Sequence, residues 1–569
     1  MTMEEKIQTM LNDAKAKLLS MRRDDGMWEG SLSSSAISTS VSIFALNVID
    51  REEYKHEIQL GTQWLLDTMK SEGTWGDSVE SPMNMTATLL SYAALTSVER
   101  VPEATEEYIR ETLGWHNEAQ LIDGVLGYYG RDLTFSVPIL MMCAIAGLVS
   151  DWKRIPPFPF ELAVLPQRTF RFLNLPVVSY AIPALIAVGI LQNRRRKTWL
   201  SGARELFVPK ALRVLSKMQP EDGGFLEAAP LTAFVSMCMA KAGLKDHPVT
   251  TSCAQFLRET LRNDGAWPID TNLAGWVTSL TGRAVGDLLT DDERRALAAT
   301  IRGNATKEIH PYTGAPAGGW GWTNLSGSVP DGDDTSGALV ALHTLLDGHY
   351  VPEVGAGVEW LIQLQNGDGG MPTFCRGWGR LPFDRSTPDI TAHALLAMSL
   401  WEDALPSAQQ SRCHKSIQRM TTWLEKTMTK EGAWNPLWFG DQDVEDEKNP
   451  VYGSATIVDY LSSIPSSNFA LIPPVQFLLG CQNADGGWGG NRGVASKVTL
   501  TAKALSALSH WKHEKAISDA INRGVDYLYV RFEDGTLYDR EPIGLYFSRL
   551  WYSEQLYNYI FLIQALRQL

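Results

Sequence analysis

The chain has 569 residues, 44% hydrophobic and 20% charged, which is the balance of a soluble globular protein and too long for one core. Its formal net charge of -14 excludes a nucleic-acid partner, whose phosphates it would repel. Six cysteines without short paired spacings argue against a disulfide frame or zinc site and fit free thiols in a reducing cytosol.

In chain order, residues 1–20 read as an amphipathic helix without the long apolar stretch of a signal peptide. A short pattern then begins and recurs: an apolar helix, an acidic residue followed by glycine, and a large side chain. It appears as "SMRRDDGMW" ending at Trp28 and "TMKSEGTW" ending at Trp75. Before the next copy lies the longest uncharged run, "LPVVSYAIPALIAVGIL", from Leu175 to Leu191. It is borderline in length for a membrane span and is interrupted by Pro176 and Pro183, so it reads as a buried helix. The basic cluster Arg194, Arg195, Arg196 and Lys197 follows. Its two readings are a solvated helix end and a contact with anionic lipid headgroups.

Further copies are "MQPEDGGF" at Phe225, "TLRNDGAW" at Trp267, "LQNGDGGM" at Met371, "TMTKEGAW" at Trp434, "CQNADGGW" at Trp488 and a weaker "RFEDGTL" at Leu537. The glycine permits a turn after a helix end, and the large side chain packs back over the helices it joins. Spacings of roughly 40–60 residues suit arrays of helical hairpins, whose apolar faces are buried only by stacking on neighbours. The expected fold is all-α, closed into barrels of helices, with an open solenoid as the alternative. The copies fall into two groups, from Trp28 to Trp267 and from about Trp320 onward, separated by the Gly- and Pro-rich segment 303–322.

That segment runs into "PDGDDTSGALVAL", where Asp331, Asp333 and Asp334 precede an apolar helix pattern. Helix capping accounts for one or two of these aspartates. It does not account for three in four positions, whose mutual repulsion raises at least one pKa. A calcium or magnesium loop is a second option, but no Gly and Glu follow at the calcium-loop positions and no second acid-rich motif is obvious. The third is a carboxylic acid kept protonated near neutral pH. In a dry pocket such an acid can protonate an alkene, and aromatic faces can host the cation, each contributing about 2 kcal/mol when desolvated. Trp75, Trp267, Trp434 and Trp488 are explained by the repeat and are assigned to structure.

These residues together resemble a known family. The "QNADGGW" repeats resemble the QW motifs of squalene–hopene and oxidosqualene cyclases, and "DGDDTS" resembles their Asp-x-Asp-Asp-Thr-Ala acid motif with Ser336 in place of alanine. "GGWGWTN", "PDITAHALL" and "GYYGRDLTFSVPIL" also have counterparts. The resemblance implies a class II terpene cyclase of two α/α barrels in the βγ arrangement. An N-terminal helix (1–20) would pack on the catalytic barrel, with a first barrel over 21–272 and a second, acid-bearing barrel over 273–569.

It further implies that Asp333 donates the proton, flanked by Asp331 and Asp334 and hydrogen-bonded to His393. Arg131, Asp389 and Tyr452 would be outer partners. Trp276, Trp322, Phe374, Trp438, Tyr180, Tyr546 and Tyr557 would line the cavity, while Leu550 and Glu554 fall where hopene-forming enzymes carry aromatics. Those departures imply a shorter cascade, another ring pattern or another substrate.

The implied reaction is metal- and cofactor-free cyclisation of a linear polyprene, squalene by default. The alternative substrates are a prenylated aromatic acid or a prenyl diphosphate. A noncatalytic lipid-binding barrel and a zinc-dependent protein prenyltransferase subunit are the competing readings. A cytoplasmic protein is expected, with peripheral contact on the inner face of the cell membrane left open, as are monomer and homodimer.

Overall fold

The computed structural model describes residues 1–130, 133–166, 169, 181–311, 313–374, 384–464, 469–545 and 550–569. The repeat proves to be a hydrogen-bonded unit. The indole Nε1 of Trp28, Trp75, Trp267, Trp434 and Trp488 donates to the carbonyl of Leu18, Leu65, Leu257, Leu424 and Leu478, at 2.7, 2.8, 2.7, 3.1 and 2.8 Å. Each acceptor is the residue ten positions earlier, on the preceding helix. The backbone N–H of the same tryptophan is tied to a hydroxyl near the start of an inner helix, as Trp75 to Thr88 Oγ1 (3.1 Å), Trp434 to Ser454 Oγ (3.0 Å) and Trp488 to Thr501 Oγ1 (3.0 Å). The glycine is required by its backbone: Gly486 has φ +91°, and a Cβ there would lie 2.3 Å from the Arg523 carbonyl oxygen.

The units close into two rings. Five inner helices of the first, Ala36–Asp50, Met85–Ser97, Leu133–Ile145, Ile182–Arg195 and Ala229–Met239, pack in succession, and the last returns to the first. Among the described residues the second ring has six: Ala274–Val285, Gly332–Leu345, Pro388–Trp401, Pro450–Ser462, Val498–Ser509 and Tyr557–Gln568, again closed end to start. Inner helices are buried on nearly every face, whereas outer ones such as Val208–Met218 and Lys515–Glu533 bury one stripe, as their patterns require. The helix Met3–Ser20 packs on Lys515–Glu533 and Tyr557–Gln568.

Ring closure corrects one grouping. Trp28 does not belong with the first set of repeats, because its N–H donates to Thr278 Oγ1 of the second ring (2.9 Å). Trp267 closes the first ring instead, through Thr39 Oγ1 (3.1 Å). One antiparallel hairpin, Ile543–Leu545 with Leu550–Tyr552, interrupts the helical plan. The first ring holds it from outside: Trp551 N–H donates to Asp77 Oδ2 at 2.6 Å.

The described part of the long uncharged run, from Ile182, is an inner helix buried from Ile182 to Asn193. No helix among the described residues is long and apolar enough to cross a membrane. The basic cluster folds back on the chain: Arg194 pairs with Glu205 and Arg196 donates to the carbonyls of Ile155 and Lys153. Just beyond it the surface turns apolar, with Trp199 91% and Leu206 80% exposed, flanked by Leu200 and Phe207. Cys143, Cys238, Cys253, Cys413 and Cys481 are buried free thiols, and Cys375 lies outside the described residues.

Candidate active site

Asp331 is the N-cap of the helix Gly332–Leu345. Its Oδ1 accepts from the N–H groups of Asp333 and Asp334, both at 2.8 Å. The cap holds the other two aspartates in the first turn, where the helix dipole favours their charge. Asp333 keeps 19% of its side chain accessible, and its Oδ1 lies 2.6 Å from Nδ1 of the buried His393. His393 is held by rings: it stacks on Tyr460 at 4.7 Å and meets the edge of Trp276 at 6.0 Å.

The surrounding acids are crowded and dry. Burial pushes Asp331 up to about 7. Burial and the charge of Asp331 push Asp334 well above the usual carboxylate range. Asp389, in the first turn of Pro388–Trp401, accepts from Leu437 N–H at 3.1 Å. Burial and the neighbouring Asp333 push it up to about 6. Carboxyl groups in such surroundings retain protons that exposed ones release.

All three motif aspartates line a cavity of about 320 Å³ between the two rings. The second ring supplies Trp276, Trp322, Phe374, Trp438, Phe439, Leu550, Tyr552 and Tyr557. The first ring supplies Leu90, Tyr129, Phe135, Ile139, Ala184 and Phe234. Phe374 stands between Trp322 and Trp438, 6.1 and 6.0 Å away and edge-on to both. The rings are fixed through their polar atoms: Trp276 Nε1 donates to Tyr557 Oη (3.1 Å) and Trp438 Nε1 to Thr373 Oγ1 (3.2 Å). No Lys, Arg or His occurs among the described lining residues. Among the described residues no group of three His, Cys, Asp or Glu side chains is placed to hold a metal ion.

Trp276, Trp322, Phe374, Trp438 and Tyr557, expected from sequence as cavity residues, therefore lie on one wall with the acids. His393 reaches Asp333 from behind that wall. Tyr452 lies a layer deeper, stacked at 4.5 Å on Phe439, with its hydroxyl pushed well up by burial and by Tyr460 and Asp333. Arg131, Tyr180 and Tyr546 lie outside the described residues. Leu550 faces the cavity, whereas the buried Glu554 turns away and accepts from Leu556 N–H (3.1 Å).

Sequence reasoning missed Phe439, Tyr552, Asp270 and the lining of the first ring. Phe439 adjoins Trp438, and Tyr552 is two positions from Leu550 on the same strand, a spacing that puts both on one face.

The chain matches the squalene-hopene cyclase N-terminal domain over residues 11–106 and the squalene-hopene cyclase C-terminal domain over residues 308–569. Over 92% of its length it is 25% identical to enfumafungin synthase of Hormonema carpetanum, and it covers 46% of that longer protein. It is 23% identical to a probable squalene–hopene cyclase of Sinorhizobium fredii, covering 96% of this chain and 94% of that one. It is 21% identical to squalene–hopene cyclase of Zymomonas mobilis, covering 96% and 92%. Among solved structures, ent-copalyl diphosphate synthase from Streptomyces platensis aligns over 98% of both chains with a TM-score of 0.56 and 16% identity, a likeness of fold alone. With the two closed rings and the capped acid motif beside an aromatic cavity, these matches place the chain in the squalene–hopene cyclase family of class II terpene cyclases.

Proposed function

We propose that the protein cyclises an uncharged linear polyprene, squalene by default, by protonating a terminal double bond from Asp333. One observation carries the reading: Asp333, bonded to His393 at 2.6 Å, opens onto a cavity walled by tryptophan, phenylalanine and tyrosine. With Oδ1 occupied by His393, Oδ2 is left to present the acidic proton. The alkene π electrons form the new C–H bond as the O–H bond breaks, and the positive charge passes along the chain as rings close. Aromatic faces stabilise that charge without capturing it. The last cation loses a proton or takes up water.

The test is incubation of purified protein with squalene, oxidosqualene, a prenylated aromatic acid and a prenyl diphosphate, followed by product mass spectrometry. Cyclic product from squalene is expected, persisting in EDTA and abolished in Asp333→Asn with the fold retained. Full turnover by that variant, or EDTA inhibition reversed by zinc or magnesium, contradicts the reading.

We infer further that the apolar surface of Trp199, Leu200, Leu206 and Phe207 rests on lipid, since a hydrophobic substrate is delivered from a membrane and water strongly disfavours such exposure. Wild-type protein is expected to float with neutral phosphatidylcholine vesicles, and the double variant Trp199→Ser, Leu206→Ser to remain in solution. Equal flotation of the two removes the inference.

A further inference from the structure

Between the repeat residue Phe225 and the inner helix Ala229–Met239, the first ring makes a turn that its own residues disfavour. Leu226 and Glu227 both sit at φ +56°, the left-handed region that residues other than glycine rarely adopt. Such a pair persists only where the surroundings impose it. Leu226 and Ala228 line the cavity. Glu227, between them, enters the second ring and is fully buried.

What it enters is the loop that carries Trp322. Thr323 Oγ1 lies 2.9 Å from Glu227 Oε1 and 2.8 Å from Oε2, and it also accepts from Leu325 N–H at 3.1 Å. Gly327 closes over the side chain, for a Cβ there would lie 2.6 Å from Glu227 Cγ. Thr271 Oγ1, just ahead of the helix Ala274–Val285, donates to the Glu227 carbonyl at 3.1 Å.

A threonine hydroxyl has a single hydrogen. Both short contacts become full hydrogen bonds when the carboxyl carries a proton: Thr323 donates to one oxygen and accepts from the O–H of the other. The surrounding charges favour the same state. The neighbouring charges that act on Glu227 are Asp270 and Asp222, both acids, and among the described residues it forms no ion pair.

We propose that Glu227 is a positioning residue for cyclisation: its paired hydrogen bonds with Thr323 fasten the left-handed turn to the second ring, so that Leu226 and Trp322 hold a fixed separation around the folding polyene. The double bonds must be in register before the proton arrives, and a wall displaced by about 1 Å changes which carbons meet. Glu227 touches neither the substrate nor Asp333. It acts through the two cavity residues that it ties together.

The inference rests on the cyclisation proposed above, and two measurements keep the failures apart. With squalene, Glu227→Ala is expected to lower kcat roughly tenfold and to add products with fewer rings. Glu227→Gln, which can donate and accept as the neutral acid does, should restore both rate and product set. Thr323→Val should add the same products as Glu227→Ala, and the double variant no more than either. Burial and Asp270 push Glu227 up to about 9, so it is neutral below that pH and charged above it. The wild-type product ratio should therefore shift as pH rises through about 9, while that of Glu227→Gln does not. Asp270, which ionises first at about 7, is present in both proteins, so their difference isolates Glu227. A Glu227→Ala enzyme with the wild-type product set, or a Glu227→Gln enzyme as defective as Glu227→Ala, overturns the inference and leaves Asp333 as donor.

The second measurement needs no substrate. In tryptophan-15N-labelled protein, the indole resonance absent from Trp322→Phe should move in Glu227→Ala and in Thr323→Val, and stay near its wild-type position in Glu227→Gln. A resonance unmoved by Glu227→Ala overturns the inference whether or not squalene is turned over. Wild type that cyclises no polyprene, with the resonance moving as expected, refutes the proposed function alone.

Discussion

Three aspartates within four positions have three fates, set by what each touches. Asp331 spends its Oδ1 on two backbone N–H groups, Asp334 is buried at the cavity edge beside it, and Asp333 opens onto the cavity with His393 at its back. Asp334 carries a pH signature. Burial and Asp331 raise Asp334 above its unfolded value, so above about pH 4 the folded chain keeps a proton that the unfolded chain releases. Stability therefore falls as pH rises through that window. Asp334→Asn removes the ionisable group while keeping its shape. The variant should be more stable than wild type by roughly 1–3 kcal/mol at pH 8, by less at pH 5, and should lose cyclisation activity. Denaturant unfolding at the two pH values measures this, and a gain larger at pH 5 than at pH 8 would contradict it.

At the scale of elements, what could be read from sequence was what is local. The turn glycine, the tryptophan after it and the helix ten residues before it belong to one contiguous stretch. Trp75, Trp434 and Trp488 were therefore legible as structural, and their indole bonds to Leu65, Leu424 and Leu478 show why. Trp28 was misgrouped because its deciding bond, to Thr278, spans 250 positions. His393 was legible only through its motif, since nothing in a helix pattern says which face of Pro388–Trp401 meets Asp333. The burial of Lys503 was invisible for the same reason: in "VTLTAKALSALS" one lysine reads as a solvated position, and only ring closure turns it inward. The hairpin Ile543–Leu545 with Leu550–Tyr552 also escaped, because it draws part of its support from Asp77 on the other ring.

The cavity is a property of the whole molecule, because neither ring encloses it alone. The second ring brings the acids and most of the aromatic belt, while the inner helices of the first bring Leu90, Ile139 and Ala184 on the opposing side. The joint between them is partly polar. Thr323 of the second ring lies 2.8 Å from Glu227 of the first, whose carboxyl is pushed up to about 9 by burial and by Asp270 and so stays neutral at pH 7. A neutral Glu227 spares the joint one buried charge, which helps the rings meet closely and exclude water from the acid. If substrate lies with one end at Asp333 and the other among first-ring side chains, the first ring sets how long a polyene can fold inside. Ala184, on the inner helix Ile182–Arg195, is one of the small residues there. Ala184→Phe would fill that end without touching the acid motif. Squalene turnover should fall by roughly tenfold or more through misplaced folding of the chain, with products of fewer rings, while a shorter prenyl chain is still cyclised. Product analysis by mass spectrometry with both substrates decides it. An unchanged product from squalene would mean that the chain never reaches the first ring, and that the second barrel alone sets the ring count.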